Sequence, residues 1–359
     1  MKIYHSAREI SPEDWSQGIP SRNPFLQRSF FLALEESGSI GQKTGWSPFY
    51  IHDPENKSLL LTFIKNHSYG EYIFDWEWAR AYQQNRLDYY PKFTSMIPFT
   101  PVTIDHFPHE STLKIYHQIY ETNPLSSSHF LFTTPEETQA FAKEGYLIRE
   151  STQYHFFNED YQNFDDFLGR LKTKKAKNIR NERLFPDLNI QTWTGPSLTN
   201  DHAEEMYRFY QSTMNLKGSI DYLKKDFFLM VFETMKDQIF YVNASLNDKV
   251  IAGSLFFFSD ERLYGRYWGS THQIPNLHFE LCYYQGIDFC IRKGLKVFEA
   301  GAQGEHKIPR GFRPIRTFSA HKLKNAAFQE AISRYIEEEK LYISDTINEL
   351  SQQLPFKEG

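Results

Sequence analysis

The densest run of reactive side chains is Glu299-Ala-Gly-Ala-Gln303-Gly-Glu305-His306-Lys307, continued by Arg310, Gly311, Phe312, Arg313 and Arg316. Glu299, Glu305 and His306 are residue types that accept a proton from an attacking amine. Gln303, Lys307, Arg310 and Arg313 are types that hold an anionic or carbonyl-bearing substrate. Gly301 and Gly304 let a ligand approach the backbone closely. A second cluster, Ser68 to Trp78, sets Glu71, Asp75 and Trp76 among aromatic residues, a composition suited to a cationic or amino group. A third is basic: Asp165 to Phe185 reads as one helix with Arg170, Lys174 and Lys177 on a common face and Arg180 beyond, a stripe able to grip phosphates. No Gly-x-Ser-x-Gly elbow and no phosphate-binding P-loop occurs. Without a nucleophile motif, the expected chemistry is direct attack on an activated ester or thioester, with no covalent enzyme intermediate. Tyr264 and Tyr267 are the expected proton donors to the leaving group, and the oxyanion is expected where the strands Val250–Ser259 and Arg262–Gly269 diverge.

These residues need a scaffold that presents strand ends. Gln238 to Ser245, Val250 to Ser259 and Arg262 to Gly269 alternate as strands, with Asn247-Asp248 marking a tight hairpin. His278 to Lys293 has helical periodicity and Gly294 in the stop position. Val297 to Ala300 is a short apolar strand leading straight into the reactive run, and Ala326 to Leu350 is a long closing helix. The first half repeats this grammar, so the fold class is α/β, with the strand-rich parts shading into α+β. Tyr69-Gly-Glu-Tyr72 recurs as Tyr264-Gly-Arg-Tyr267, and Tyr89-Tyr90 recurs as Tyr283-Tyr284 at nearly the same separation. The pattern predicts a duplication, divided into residues 1–150 and 151–359 with the closing helix in the second part.

A length of 359 residues fits two domains. A net charge of −5 argues against a dedicated nucleic-acid binder, and the 17% aromatic share supplies both core and groove surface. Cys282 and Cys290 lie in one apolar stretch with no second pair, so neither a disulfide framework nor a zinc cluster is expected; no metal is predicted. The opening residues read as no signal peptide, and no apolar run is long enough to span a bilayer. The expected location is the cytoplasm.

The stretches Ser68-Tyr-Gly-Glu-Tyr-Ile-Phe-Asp75-Trp76, Ile97-Pro-Phe-Thr-Pro-Val-Thr103, Tyr264-Gly-Arg-Tyr-Trp-Gly269, His278 to Gln285 and the Glu299-to-Lys307 run with Arg310-Gly-Phe-Arg313 resemble a bacterial family. It is that of the FemAB-like predicted N-acyltransferases of peptidoglycan biosynthesis. The resemblance runs from about Asn23 to Phe356. It implies two tandem GNAT-like acyl-CoA N-acyltransferase domains, each a mixed sheet flanked by helices. It also implies an N-acyltransferase with no tightly bound cofactor, a small-molecule or peptide amine as acceptor, and aminoacyl-tRNA or acyl-CoA as donor. The donor stays open: the loop from Tyr267 to His278 has no [QR]-x-x-G-x-[GA] cradle for the CoA pyrophosphate, and no heptad insertion forms a tRNA-binding arm. The rival expectation is a non-catalytic binding module for cell-wall precursors or RNA.

Overall fold

The computed structural model describes residues 1–106, 109–302 and 304–357. In chain order the strands are β1 (Lys2–Tyr4), β2 (Trp46–Asp53), β3 (Ser58–Lys65), β4 (Lys92–Ser95), β5 (Ser127–Thr133), β6 (Leu147–Phe157), β7 (Asn189–Thr194), β8 (Ile239–Leu246), β9 (Lys249–Phe258), β10 (Arg262–Ser270), β11 (Val297–Glu299) and β12 (Arg313–Leu323). The helices are α1 (Pro12–Gly18), α2 (Arg28–Glu36), α3 (Trp76–Gln84), α4 (Glu110–Thr122), α5 (Pro135–Lys143), α6 (Phe164–Arg170), α7 (Thr173–Glu182), α8 (Asn200–Lys217), α9 (Lys225–Thr234), α10 (Leu277–Phe279), α11 (Gln285–Lys293) and α12 (Ala326–Gln352). A π turn, Glu280–Tyr284, joins α10 to α11.

The chain divides into two compact units. Unit 1 comprises Met1–Ser21, Phe25–Thr152 and Arg316–Thr346; unit 2 comprises Arg22–Pro24, Gln153–Ile315 and Ile347–Gly359. Within unit 1, β2 and β3 form an antiparallel pair, β4 lies antiparallel on β3, and β5 lies parallel to β4. β12 then closes antiparallel on β5. Within unit 2, β8 and β9 form the antiparallel pair, β10 lies antiparallel on β9, β11 lies parallel to β10, and β6 closes antiparallel on β11. The order of pairings is the same in both units. A parallel pair needs a crossover, supplied by α4 in unit 1 and by the α10–α11 helix in unit 2.

The tyrosine motifs do not mark this correspondence. Tyr264–Tyr267 lies within β10, whereas Tyr69–Tyr72 lies in the loop after β3; Tyr283-Tyr284 is helical, whereas Tyr89-Tyr90 precedes β4. With 22 tyrosines in the chain, such a recurrence arises by chance. β4 and β10 are the equivalent strands.

β5 is buried throughout and β8 up to its last residue, yet neither is wholly apolar: β5 carries Ser127, Ser128, His129 and Thr133, and β8 carries Asn243 and Ser245. Asn247 and Asp248 both take positive φ, 49° and 60°, as a two-residue hairpin between twisted strands requires. The unit 2 core gathers Phe156, Phe240, Phe256, Phe298, Leu281 and Ile287; the unit 1 core gathers Phe93, Tyr116, Phe130, Phe141 and Ala320. The expected helix over Asp165–Phe185 is two helices. Leu171 leaves the helix to bridge Phe356, and the Lys172 N–H donates to the Pro355 carbonyl at 2.8 Å. Arg170 is therefore not on the face that carries Lys174 and Lys177.

Candidate functional site

β10 and β11 are hydrogen-bonded only from Arg262↔Val297 to Tyr264↔Glu299, after which β10 continues to Ser270 and the chain beyond Glu299 turns away. The expected divergence of β9 from β10 does not occur: these strands stay paired from Leu263↔Phe258 to Ser270↔Ala252. Their register slips once, between Gly265 and Tyr267, so Arg266 occupies a bulge next to the point where β11 departs. Ligands in open α/β sheets gather at such carboxyl ends.

The loop after β11 is held by glycines that no other residue replaces easily. Gly304 has φ +112°, and a Cβ there would stand 2.3 Å from the His306 ring. A short two-turn 3-10 helix, Glu305–Arg310, follows. On it, Lys307 is 1% exposed, and its Nζ donates to the Gly301 carbonyl at 2.8 Å. The Tyr154 and Tyr283 rings flank it at 5.7 and 5.9 Å. Burial pulls its amine down to about 7. His306 Nε2 lies 2.7 Å from Tyr283 Oη. Burial, followed by the charges of Lys307 and Arg310, lowers its imidazole. Arg310 stacks 3.5 Å from the Phe279 ring and donates to the His306 carbonyl (2.6 Å) and Glu182 Oε2 (2.8 Å). Glu305 is exposed on the same short helix.

The π turn brings further groups to this place, a feature frequent at functional sites. His278 lies 5.2 Å from the Tyr283 ring and 6.2 Å from the His306 ring, with its imidazole lowered to about 4 by burial. Cys282, half-buried, accepts from Ser254 Oγ at 3.5 Å, and burial pushes its thiol up to about 12.

Glu299 lies on a neighbouring surface of the same sheet. It is buried, takes Arg262 Nη1 at 2.8 Å on Oε1, and faces His155 Nε2 at 3.7 Å on Oε2. Burial raises its carboxyl to about 7 and depresses His155 to about 3, with the charges of Arg262 and Lys307 adding to the latter. His155 thus senses both clusters. Tyr264 is buried and its hydroxyl raised by burial, then by Glu299. Tyr267 packs against Tyr210 and Phe228, each 5.7 Å away.

Other candidates stand apart from this grouping. Lys174 and Lys177 are exposed on α7, and Arg180, also exposed, reaches Asp165 at 3.3 Å. Arg313 pairs with Glu159 and lies 5.0 Å from the Phe356 ring. Gln303 lies outside the described residues. In unit 1, Glu71 and Asp75 are buried around Lys92, whose Nζ reaches them at 2.8 and 2.5 Å and Ser68 Oγ at 2.8 Å; Trp76 is half-buried, 4.9 Å from the Tyr69 ring. A cavity of about 570 Å³ in unit 1, lined by Leu60, Met96, Ile97 and His106 among others, borders none of the candidate residues. The residues that sequence inspection missed are Lys92, Tyr154, Arg262 and Tyr283 as partners, and His155 and His278 as more than isolated histidines. Among the described residues, no group of His, Cys, Asp and Glu could hold a metal ion, and no helix is long and apolar enough to cross a membrane.

A model of the FemAB-like family, described as peptidoglycan biosynthesis/recognition, matches residues 6–358. Among solved structures, FemX superposes with a TM-score of 0.55 at 10% identity, covering 93% of this chain and 100% of FemX. L-PGS from Bacillus licheniformis gives 0.52 at 11% identity, covering 88% of this chain and 97% of the other. A conserved protein of unknown function from Bacteroides thetaiotaomicron gives 0.52 at 14%, covering 89% and 100%. At these identities the likeness shows the fold alone, a mixed α/β architecture with mixed sheets flanked by helices. No curated protein sequence matches this chain.

Proposed function

Given that the chain belongs to the FemAB-like family, we propose that it is an N-acyltransferase that moves an aminoacyl or acyl group onto an amine of a cell-wall precursor. The donor is aminoacyl-tRNA or acyl-CoA, and the amine attacks the donor carbonyl directly. The observation that carries this reading is Lys307: a buried amine near neutrality, fixed on the Gly301 carbonyl and set beside the His306–Tyr283 pair where β10 and β11 part.

In this scheme the amine nitrogen bonds to the acyl carbon and its proton passes to His306 Nε2, with the Tyr283 hydroxyl turning to donate elsewhere. The ammonium form of Lys307 and the β10 backbone N–H groups beyond Tyr264 steady the oxyanion. Collapse expels the tRNA ribose oxygen or the CoA sulfur, which takes the proton held on His306 Nε2. Arg266 and Arg310 hold the anionic part of the donor, while Lys174 and Lys177 serve an extended donor at most as solvated charges. Glu299, able to titrate near 7, tunes His155 and Arg262 rather than meeting the amine. The unpaired thiols Cys282 and Cys290 suit the reducing cytoplasm proposed as its location.

The test is a donor screen. The protein is incubated with charged tRNA or acyl-CoA and candidate amine acceptors, and acceptor mass is followed. No product from any donor would end the transferase reading. Full activity in both His306→Ala and Lys307→Met would remove this site from it.

A further inference from the structure

Beside His278 the surface opens into a cavity of about 470 Å³ within unit 2. Its walls include Trp268, Leu216, Ile274, Pro275 and Leu277, with the His278 ring at one end. No carboxylate or lysine lines it. Much of its polar equipment is already engaged: Thr213 Oγ1 donates to the Trp268 carbonyl at 2.5 Å, and Ser270 Oγ to the His272 carbonyl at 2.7 Å. Leu216, at the end of α8, is 77% exposed, an apolar side chain at the mouth with nothing to cover it. Apolar walls interrupted by Gln273, His272 and His278, with no acid or lysine among them, describe a site selective by shape and by the absence of fixed charge.

Position supplies the second half of the case. His278 is in ring contact with Trp268 at 5.2 Å on the cavity side and with Tyr283 at 5.2 Å on the other. The cavity therefore ends one ring away from the His306–Tyr283 pair. We infer that this cavity receives the substituent of the transferred acyl group, and that it selects a neutral apolar or aromatic substituent over a cationic one. The inference rests on the transferase reading above and adds the chemical class of what is transferred. The largest charges acting on His278 are those of His306, Lys307, Arg310 and Lys217, all cationic or able to become so. A lysine-like substituent would be repelled there without a counter-ion.

Two measurements test this on the intact chain. Tryptophan is replaced by 5-fluorotryptophan, and the Trp268 resonance is assigned with Trp268→Phe. The N-acetyl methyl esters of phenylalanine and leucine are expected to shift that resonance at concentrations where the lysine ester does not. Equal shifts from the lysine ester, or none from the apolar esters, overturn the inference. In the transfer assay, apolar or aromatic acyl groups are expected to be used at least about tenfold better than lysyl. Leu216→Glu, at an exposed position the core does not use, should narrow that ratio about tenfold. Transfer with no such preference, or an unmoved ratio in Leu216→Glu, sinks the selectivity and leaves the transferase reading standing. Transfer from no donor ends both.

Discussion

Lys92 in unit 1 and Lys307 in unit 2 are both almost wholly removed from water, 0% and 1% exposed, yet their surroundings drive them in opposite directions. Lys92 sits between two carboxylates, Glu71 and Asp75, with Ser68 as a third acceptor, and their combined attraction outweighs burial and raises its pKa above the ordinary lysine value. Lys307 takes a neutral carbonyl and two aromatic rings, so burial wins and its amine falls to about 7. The first arrangement is a permanently charged strut. The second is a group that changes charge in the range where acyl transfer takes place. The same residue, buried to the same degree, becomes scaffold or reagent according to whether its partners carry charge.

Removing each ammonium separates the two roles. Lys92→Met leaves Asp75 buried without its ammonium partner and Glu71 with only Lys65, 3.9 Å away, and should lower unfolding free energy by about 3–5 kcal/mol in urea denaturation. A loss below about 1 kcal/mol would mean that the network is not the strut described. Lys307→Met should change stability by about 1 kcal/mol or less in either direction, while transfer falls about a hundredfold or more.

pH sharpens the contrast through Glu299. Its folded-state carboxyl is raised to about 7 from 4.5, so the folded protein holds an extra proton between those values. The stability this contributes is fully present below 4.5 and is lost as pH rises through about 7. The stability of the parent relative to Glu299→Gln should therefore fall between pH 4.5 and 8, by at most about 3 kcal/mol; a flat difference would place Glu299 in wetter surroundings. Smaller effects remain. Tyr283→Phe removes one hydrogen bond to His306 and should cost about 1 kcal/mol of stability and about tenfold in transfer rate. Lys174→Ala with Lys177→Ala should stay within about 0.5 kcal/mol by the same denaturation.

The reactive run from Glu299 to Arg313 was legible because it is local: glycines, acids and bases crowded after a short apolar strand. Its partners were not. Tyr154, Arg262 and Tyr283 come from three other segments, and each looks like an ordinary strand or helix residue until pairing brings it in. Lys92 was hidden in a different way, since one lysine ahead of Phe93 in a short strand reads as an edge position rather than a buried charge. The α/β alternation and the Asn247-Asp248 hairpin were visible because periodicity and turn chemistry are local signals. The tyrosine recurrence misled, because duplication survives in the order of strand pairing rather than in those side chains. The break at Leu171 depends on Phe356, far along the chain, and no local signal announces it.

The π turn at Glu280–Tyr284 has a consequence for how such a site is assembled. Positions five apart on an α-helix stand about 140° apart around the axis, yet His278 and Tyr283, five apart here, bring their rings within 5.2 Å. One supernumerary residue does this, and α11 resumes beyond it with Ile287, Phe289 and Cys290 still in the core. Deleting a single residue of the turn, such as Cys282, should restore a plain helix in which the two rings stand four apart, still on one face. The turn thus admits one more residue into the helix, here a thiol that accepts from Ser254, without parting the rings on either side of it.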